Sequence, residues 1–254
     1  MASRRVKQFG YGFLYLLIMV LLGVGAYFLM FKPMPTCTDG ILNQKEEEVD
    51  CGGPCGGCDL RHLKINITEK KFFDISSLKQ TTFYLEFENQ SGAYWVNNFH
   101  YVLNVYNILG TRTAVFSGNS TIPPNSKRVI PIVGTPIDAK DISRVDLGVE
   151  DPEWTPTVEY RPSPISISGA KSQKLQNGKI YTSGFLVNDS QNTIRNISVG
   201  SLFKDGEGRL INVSSTKIDE VAAFSKTAFE IYLVPNAKPT IDLSRTEIFT
   251  EIMK

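Results

Sequence analysis

Four cysteines, Cys37, Cys51, Cys55 and Cys58, fall within the 22 residues CTDGILNQKEEEVDCGGPCGGC, and their spacing, C-x13-C-x3-C-x2-C, admits several chemistries. Four thiolates can hold a tetrahedral zinc, but such sites ordinarily use two C-x2-C pairs separated by a longer loop. A redox pair made of Cys55 and Cys58 wants a helix N-terminus and a thioredoxin-like strand-helix pattern. The stretch that follows, DLRHLKINITEKKF, alternates as a strand instead. Calcium would draw on the oxygens of Asp39, Asn43, Glu46, Glu47 and Asp50, the donor type that hard cations prefer. Ile41 stands where an EF-hand wants an acid or amide, and Gln44 replaces its glycine, so such a site would be irregular. The fourth chemistry is oxidation to two disulfides, for which three pairings are possible and a bond closing only Cys55 to Cys58 would be strained.

The compartment decides between these, and it is set by the segment just before. Residues 10–31, GYGFLYLLIMVLLGVGAYFLMF, carry no charge. A bilayer core needs about 20 apolar residues. Phe9, Tyr11 and Phe13 lie near one end and Tyr27, Phe28 and Phe31 near the other, as side chains at the two interfaces would. Arg4, Arg5 and Lys7 precede the run, whereas Lys32 alone follows it before Lys45. That bias predicts a cytoplasmic stretch 1–9, a single transmembrane helix 10–31 and a remainder outside the cytoplasm, in a single-pass protein of the plasma membrane. A cleaved signal peptide would have a shorter apolar region and a small-x-small site, which FLMFKPMPT lacks. The residues after Ser3-Arg4-Arg5 do not fit a twin-arginine signal, and Cys37 lies past the apolar region, so it is no lipoprotein cysteine. Outside the cytoplasm thiols are normally oxidised, so Cys37, Cys51, Cys55 and Cys58 are expected as two disulfides, with no resident metal or other cofactor.

The stretch also resembles a motif of secreted and cell-surface proteins, C-x-D-G-x-x-N-x-x-E-x-x-x-D-C-G-G-x-C-x-x-C. Cys37, Asp39, Gly40, Asn43, Glu46, Asp50, Cys51, Gly52, Gly53, Cys55 and Cys58 stand at its fixed positions. The resemblance implies an extracellular module and no reaction.

Beyond Asp59 the chain turns to short runs rich in β-branched and aromatic residues with turn signals between them. In FYLEFE, Phe83, Leu85 and Phe87 point one way and Tyr84, Glu86 and Glu88 the other. No later stretch keeps a helical period, so an all-β exterior is predicted. The chain also repeats with a period near 99 residues: Asn89 and Ser91 align with Asn188 and Ser190. With one residue fewer in the loop, Phe99, Tyr101 and Val105 align with Ile197, Val199 and Phe203; further on, back at the full period, Ser126, Lys127 and Ile130 align with Ser225, Lys226 and Phe229. The expected architecture is two tandem immunoglobulin-like β-sandwiches of about seven strands each. They would occupy 60–160 and 165–254, joined by a stiff linker with Pro156, Pro162 and Pro164.

The segment SGFLVNDSQNTIRNISVGSLFKDGEGRLI resembles the FxLYD-type domain, with Gly184, Asn188, Ser190, Ile197, Val199, Leu202, Phe203, Gly208 and Ile211 in place and Lys204 preceding Asp205 as a departure. Those are core and turn positions, so the resemblance implies a fold and an extracytoplasmic setting and supplies no catalytic residue.

A formal charge of +1 leaves no basic footprint for nucleic acid. The only histidines, His62 and His100, read as a surface and a strand residue, and no nucleophile elbow, zinc-protease or phosphate-loop motif occurs. No enzyme is expected. Asp146, Glu150, Asp151 and Glu153 read as a solvated strand edge. Asn-x-Ser/Thr triplets begin at Asn66, Asn89, Asn119, Asn188, Asn196 and Asn212, the acceptors in a host that glycosylates its envelope. The partners expected are a membrane and proteins of the envelope, met as a structural or assembly module. Tyr94 and Trp95 in SGAYWVNN are the candidate contact residues, although Trp95 also suits a plug for the end of its own sandwich. The alternative is an adhesion-type surface protein binding a ligand or polymer, with calcium at the knot.

Overall fold

The structure is a computed structural model that describes residues 4–30, 36–75, 77–233 and 240–253. It divides into two units, Met1–His62 and Leu63–Lys254.

The first unit holds helix α1, Arg4–Met30, and the cysteine knot. Within α1 the window Gln8–Tyr27 has a mean hydropathy of 2.1 and none of it is buried. It is long and apolar enough to cross a membrane. The side chains of Arg4, Arg5, Lys7 and Phe28, and all of Phe31 and Lys32, lie outside the described residues. The knot ends in a 3-10 turn, Cys58–His62, where alternation predicts a strand from Asp59. The cause is local: Leu60 N–H donates to the Gly57 carbonyl at 3.1 Å while a disulfide fixes Cys58, so the extended chain starts only at Asn66.

Among its described residues, the regular structure of the second unit is all β apart from two short 3-10 turns. Its first half runs β1 (Asn66–Ile75), β2 (Gln80–Asn89), β3 (Tyr94–Asn107), β4 (Arg112–Ile122), β5 (Ser126–Thr135) and β6 (Ile142–Pro156). Its second half runs β7 (Ile165–Lys174), β8 (Ile180–Asn188), β9 (Ile194–Lys204), β10 (Leu210–Val221), β11 (Ser225–Leu233) and β12 (Asp242–Ile252). Each half therefore has six described strands, one fewer than the pattern of runs predicts. Four antiparallel three-stranded sheets result, with orders β1-β2-β5 and β4-β3-β6, then β7-β8-β11 and β10-β9-β12. The second pair repeats the first strand for strand.

Alternation explains how each pair closes on a core. In β2, Phe83, Leu85 and Phe87 enter one cluster with Val96, Phe99, Leu103 and Val105 of β3, and the rings of Phe87 and Phe99 meet edge-on at 5.1 Å. In the second half Leu186, Ile197, Val199, Phe229 and Ile231 are at most 1% exposed and form the corresponding core. Each half is thus a sandwich of two sheets.

Both sandwiches turn the same corner in the same way. Asn89 closes β2 and is fully buried; its Nδ2 donates to the carbonyls of Tyr94 (2.8 Å) and Pro123 (3.1 Å), and its Oδ1 accepts from Ser91 N–H (2.9 Å). Asn188 closes β8, is also fully buried, and donates to Asn192, Val221 and Ala222 while accepting from Ser190 N–H. An amide suits these corners because it offers donors and an acceptor at once, where a buried backbone would otherwise go unpaired. The triplets at Asn89, Asn188 and Asn212 are therefore not open acceptors, since all three asparagines are at most 4% exposed. Asn119 and Asn196 are exposed and Asn66 half-buried.

The acids Asp146, Glu150, Asp151 and Glu153 all lie within β6, an edge strand that pairs only with β3, and not partly at its exit. Asp151 has φ +48° and the register shifts nearby, opposite Asn98 and His100. Pro152, which lacks an N–H, follows it, and an edge tolerates that loss.

Candidate interaction surfaces and the cysteine knot

The knot is crosslinked twice, Cys37 to Cys55 and Cys51 to Cys58, with Cα separations of 5.5 and 4.9 Å. Between the bridges the acids serve as acceptors for the loop's own backbone. Asp39 accepts from Thr36 N–H (3.1 Å), Ile41 N–H (2.9 Å) and Asn43 Nδ2 (2.9 Å). Both oxygens of Asp50 take Gly40 N–H, at 2.9 and 3.1 Å, and Glu46 accepts from Asn43 N–H and Asp50 N–H. The Asn43 bond, with the two backbone bonds, lowers the pKa of Asp39. Gly52 and Gly53 have φ of +81° and +57°, and a Cβ on either would lie 2.6 Å from Glu47 or 2.5 Å from the Lys45 carbonyl. These contacts account for the two glycines before Pro54. Asp39, Asn43, Glu46 and Asp50, the residues considered for calcium, are thus brought together by one loop with each carboxylate turned to backbone or amide N–H. The sulfurs, being bridged, offer no thiolate to zinc or to exchange.

Tyr94 and Trp95 begin β3 and meet the segment that leaves β6. Pro156 closes β6 and a 3-10 turn, Thr157–Glu159, folds back. Thr157 donates its N–H to Ala93 O (2.8 Å) and its hydroxyl to Gly92 O (2.9 Å). The Tyr160 ring then sits edge-on to Trp95 at 5.2 Å. The loop SGAYWVNN thereby clasps the linker, and Trp95 is half-buried. Elsewhere in this sandwich His100 Nδ1 lies 2.9 Å from Asn119 Oδ1, while His62, in the knot's 3-10 turn, is exposed.

A third surface is one that sequence reasoning misses. The outward face of β2 is not solvated: Tyr84 is 3% exposed and packs with Phe73 and Val129 against Leu202, Val213, Leu210 and Phe249 of the second sandwich. The tip of the Phe249 ring sits over its cross-strand partner Gly200, so that a Cβ there would fall 2.2 Å from the ring. In β9, Ile197 to Phe203 are buried at every position, and a strand buried on both faces must be covered twice; the available sequence signal is that ISVGSLF carries no charged residue on either face.

Charged groups frame this apolar contact. The Tyr84 hydroxyl donates to Glu86, which also accepts from Lys127 Nζ (2.7 Å) and Thr68 Oγ1 (2.7 Å). Burial pushes the Tyr84 phenol well above its ordinary range, and Glu86 adds to the effect. Burial alone would raise Glu86, but the bonds from Lys127, Tyr84 and Thr68 outweigh it and hold the carboxyl below its usual value. On the other side, Glu251 of β12 accepts from the Ser120 hydroxyl of β4 and lies 3.8 Å from Arg128 Nε of β5. Its side chain is 9% exposed, and burial raises its pKa against the opposing pull of Arg128 and Ser120. A cleft of about 610 Å³, lined from both sandwiches, opens beside it.

No family model matches the chain, and no curated protein matches it. Among solved structures it is similar to a β-glucuronidase of glycoside hydrolase family 2 at TM-score 0.26 and 10% identity, over 67% of this chain and 24% of that one. It is also similar to the red sea bream transglutaminase at TM-score 0.23 and 12% identity, over 75% of this chain and 30% of that one. The chain spans less than a third of the length of either protein.

Proposed function

We propose that the chain is a single-pass membrane-anchored protein of the cell envelope whose tandem immunoglobulin-like sandwiches act outside the cytoplasm as a structural or assembly module, without catalysis. The observation that carries this reading is the succession of an uncovered apolar helix, Gln8–Tyr27, and a knot whose four cysteines are all bridged. Bridged thiols belong to an oxidising compartment, which supports a knot beyond the membrane from a cytoplasmic N-terminus. The matching strand orders and the paired Asn89 and Asn188 corners support a duplicated domain, the second copy of the FxLYD type. Packing of one sandwich on the other favours a spacer over two independently swinging binding heads.

The test is protease added to intact cells or spheroplasts expressing the full chain. Digestion of residues beyond about 60, with the extreme N-terminus protected, is the outcome expected of a span in this orientation. Full protection of those residues overturns it, and release of the sandwiches in soluble form by the host's own processing identifies the helix as a signal sequence.

A further inference from the structure

We infer that Glu251 is a proton-operated latch for the joint between the two sandwiches, holding them together more firmly as the surroundings become acidic. The geometry is that of a carboxylate carried across the joint into a site built by the other sandwich. Glu251 stands on β12, paired with Ser198 of β9, and its side chain is 9% exposed. The groups that meet it are Ser120 on β4 and Arg128 on β5, with Tyr101 of β3 and Lys217 of β10 lining the same cleft.

Arg128 is only half available to it. The Arg128 Nε donates to the Thr121 carbonyl at 2.6 Å and its Nη2 to Thr121 Oγ1 at 3.2 Å, which ties the guanidinium to its own sandwich and leaves Glu251 at 3.8 Å. An ionised carboxylate that loses its water for so loose a pairing is poorly compensated. Protonation removes that cost and keeps the hydrogen bond, because Ser120 and the carboxyl can exchange donor and acceptor roles. The direction of the Glu251 shift agrees: burial raises it.

When the sandwiches part, the carboxyl returns to water and to its ordinary value near 4.5. The docked state therefore takes up a proton that the parted state does not. Docking strengthens as pH falls toward that ordinary value and weakens as pH rises through the raised one, roughly tenfold for each unit between the two. Arg128 and the Ser120 hydrogen bond pull the other way, and the Tyr101 phenol, raised by burial, stays neutral throughout this range. Glu86 belongs to the same joint, but its lowered pKa confines its titration to more acidic pH, so the two effects separate.

The experiment places one spin label on each sandwich of the full chain in detergent, through Val115→Cys and Lys174→Cys, since the native cysteines are bridged. The inter-label distance distribution is recorded at about pH 5 and about pH 8, with native Glu251 and with Glu251→Gln. With Glu251 present, a distribution narrow in acid and broad in mild alkali is expected; Glu251→Gln should be narrow at both. Equal widths at the two pH values with Glu251 present overturn the latch. So does a broad distribution for a folded Glu251→Gln at both, because the charge would then be what holds the joint. Should Glu251→Gln not fold, the comparison with Glu251 present decides alone.

Discussion

Asn89 and Asn188 perform the same task in successive sandwiches: each is the last residue of its strand and wholly buried, and each spends its amide on carbonyls of the turn ahead of the next paired strand, Pro123 in one case and Val221 and Ala222 in the other. Ser126 and Ser225 pair with them across the ladder and donate to Pro123 and Ala222 in turn. One side chain thus organises a whole end of each sandwich.

Asn188→Ala removes the amide that reaches three carbonyls, of which Ala222 keeps the Ser225 hydroxyl and Asn192 the Ser190 hydroxyl, and should lower unfolding stability by about 2–3 kcal/mol, with Asn89→Ala costing a similar amount. Asn188→Asp should be worse at neutral pH, because a carboxylate would face those carbonyls. Denaturant titration of the full chain checks both, and a loss within error for Asn188→Ala removes the corner's importance.

Gly200→Ala drives a methyl into the Phe249 ring, whose nearest carbon would stand 2.2 Å from the new Cβ. Overpacking of this kind costs about 1–3 kcal/mol. Adding Phe249→Ala should recover part of the loss, so the double variant is less destabilised than the sum of the singles. Strict additivity would show that the two residues do not touch in solution.

Peptide mapping of the unreduced chain should recover Cys37 linked to Cys55 and Cys51 linked to Cys58. Each bridge is worth about 2–4 kcal/mol to so small a module. Reduction should therefore expose residues 37–58 to protease while β1 to β12 remain resistant. A Cys55 to Cys58 peptide, or four alkylatable thiols with bound zinc, contradicts the arrangement.

The Glu86 carboxyl is held below its ordinary value near 4.5 despite burial, chiefly through Lys127. A lowered acid contributes stability that is present above that ordinary value and is lost as pH falls through the folded one. Lys127→Met should accordingly destabilise the chain at neutral pH by about 1 kcal/mol or less, since Lys127 is half exposed and solvent screens the pair. The penalty should shrink in strong acid, and thermal melts across pH read it directly. A penalty that is constant with pH would assign the effect to packing of the lysine stem.

How far the sequence carries depends on whether the cause is local. Phe83, Leu85 and Phe87 advertise their face by alternation, and the cysteine count together with the apolar helix announces oxidised sulfur. The pairing within the knot stays hidden because it is settled by left-handed glycines and by Asp39, Glu46 and Asp50 capping backbone amides, and composition does not show these. Tyr84, Val213 and Glu251 stay hidden for another reason. Their burial comes from strands more than 100 positions away, as with Ser120 and Glu251, which are 131 apart.

Asn66 begins β1 opposite Glu88, and Pro156 ends β6 opposite Tyr94, so the chain enters and leaves the first sandwich at the same end, on either side of the loop 90–93. Tension applied between those points pulls on the ends of two edge strands, β1 in one sheet and β6 in the other, and peels each from its neighbour starting at that shared end, so the hydrogen bonds break in sequence instead of being loaded in parallel. The first sandwich is therefore mechanically soft to extension. On the β6 side, the clasp of Thr157 on Gly92 and Ala93, with Tyr160 against Trp95, is the first structure such a load meets, and it must open before β6 begins to peel.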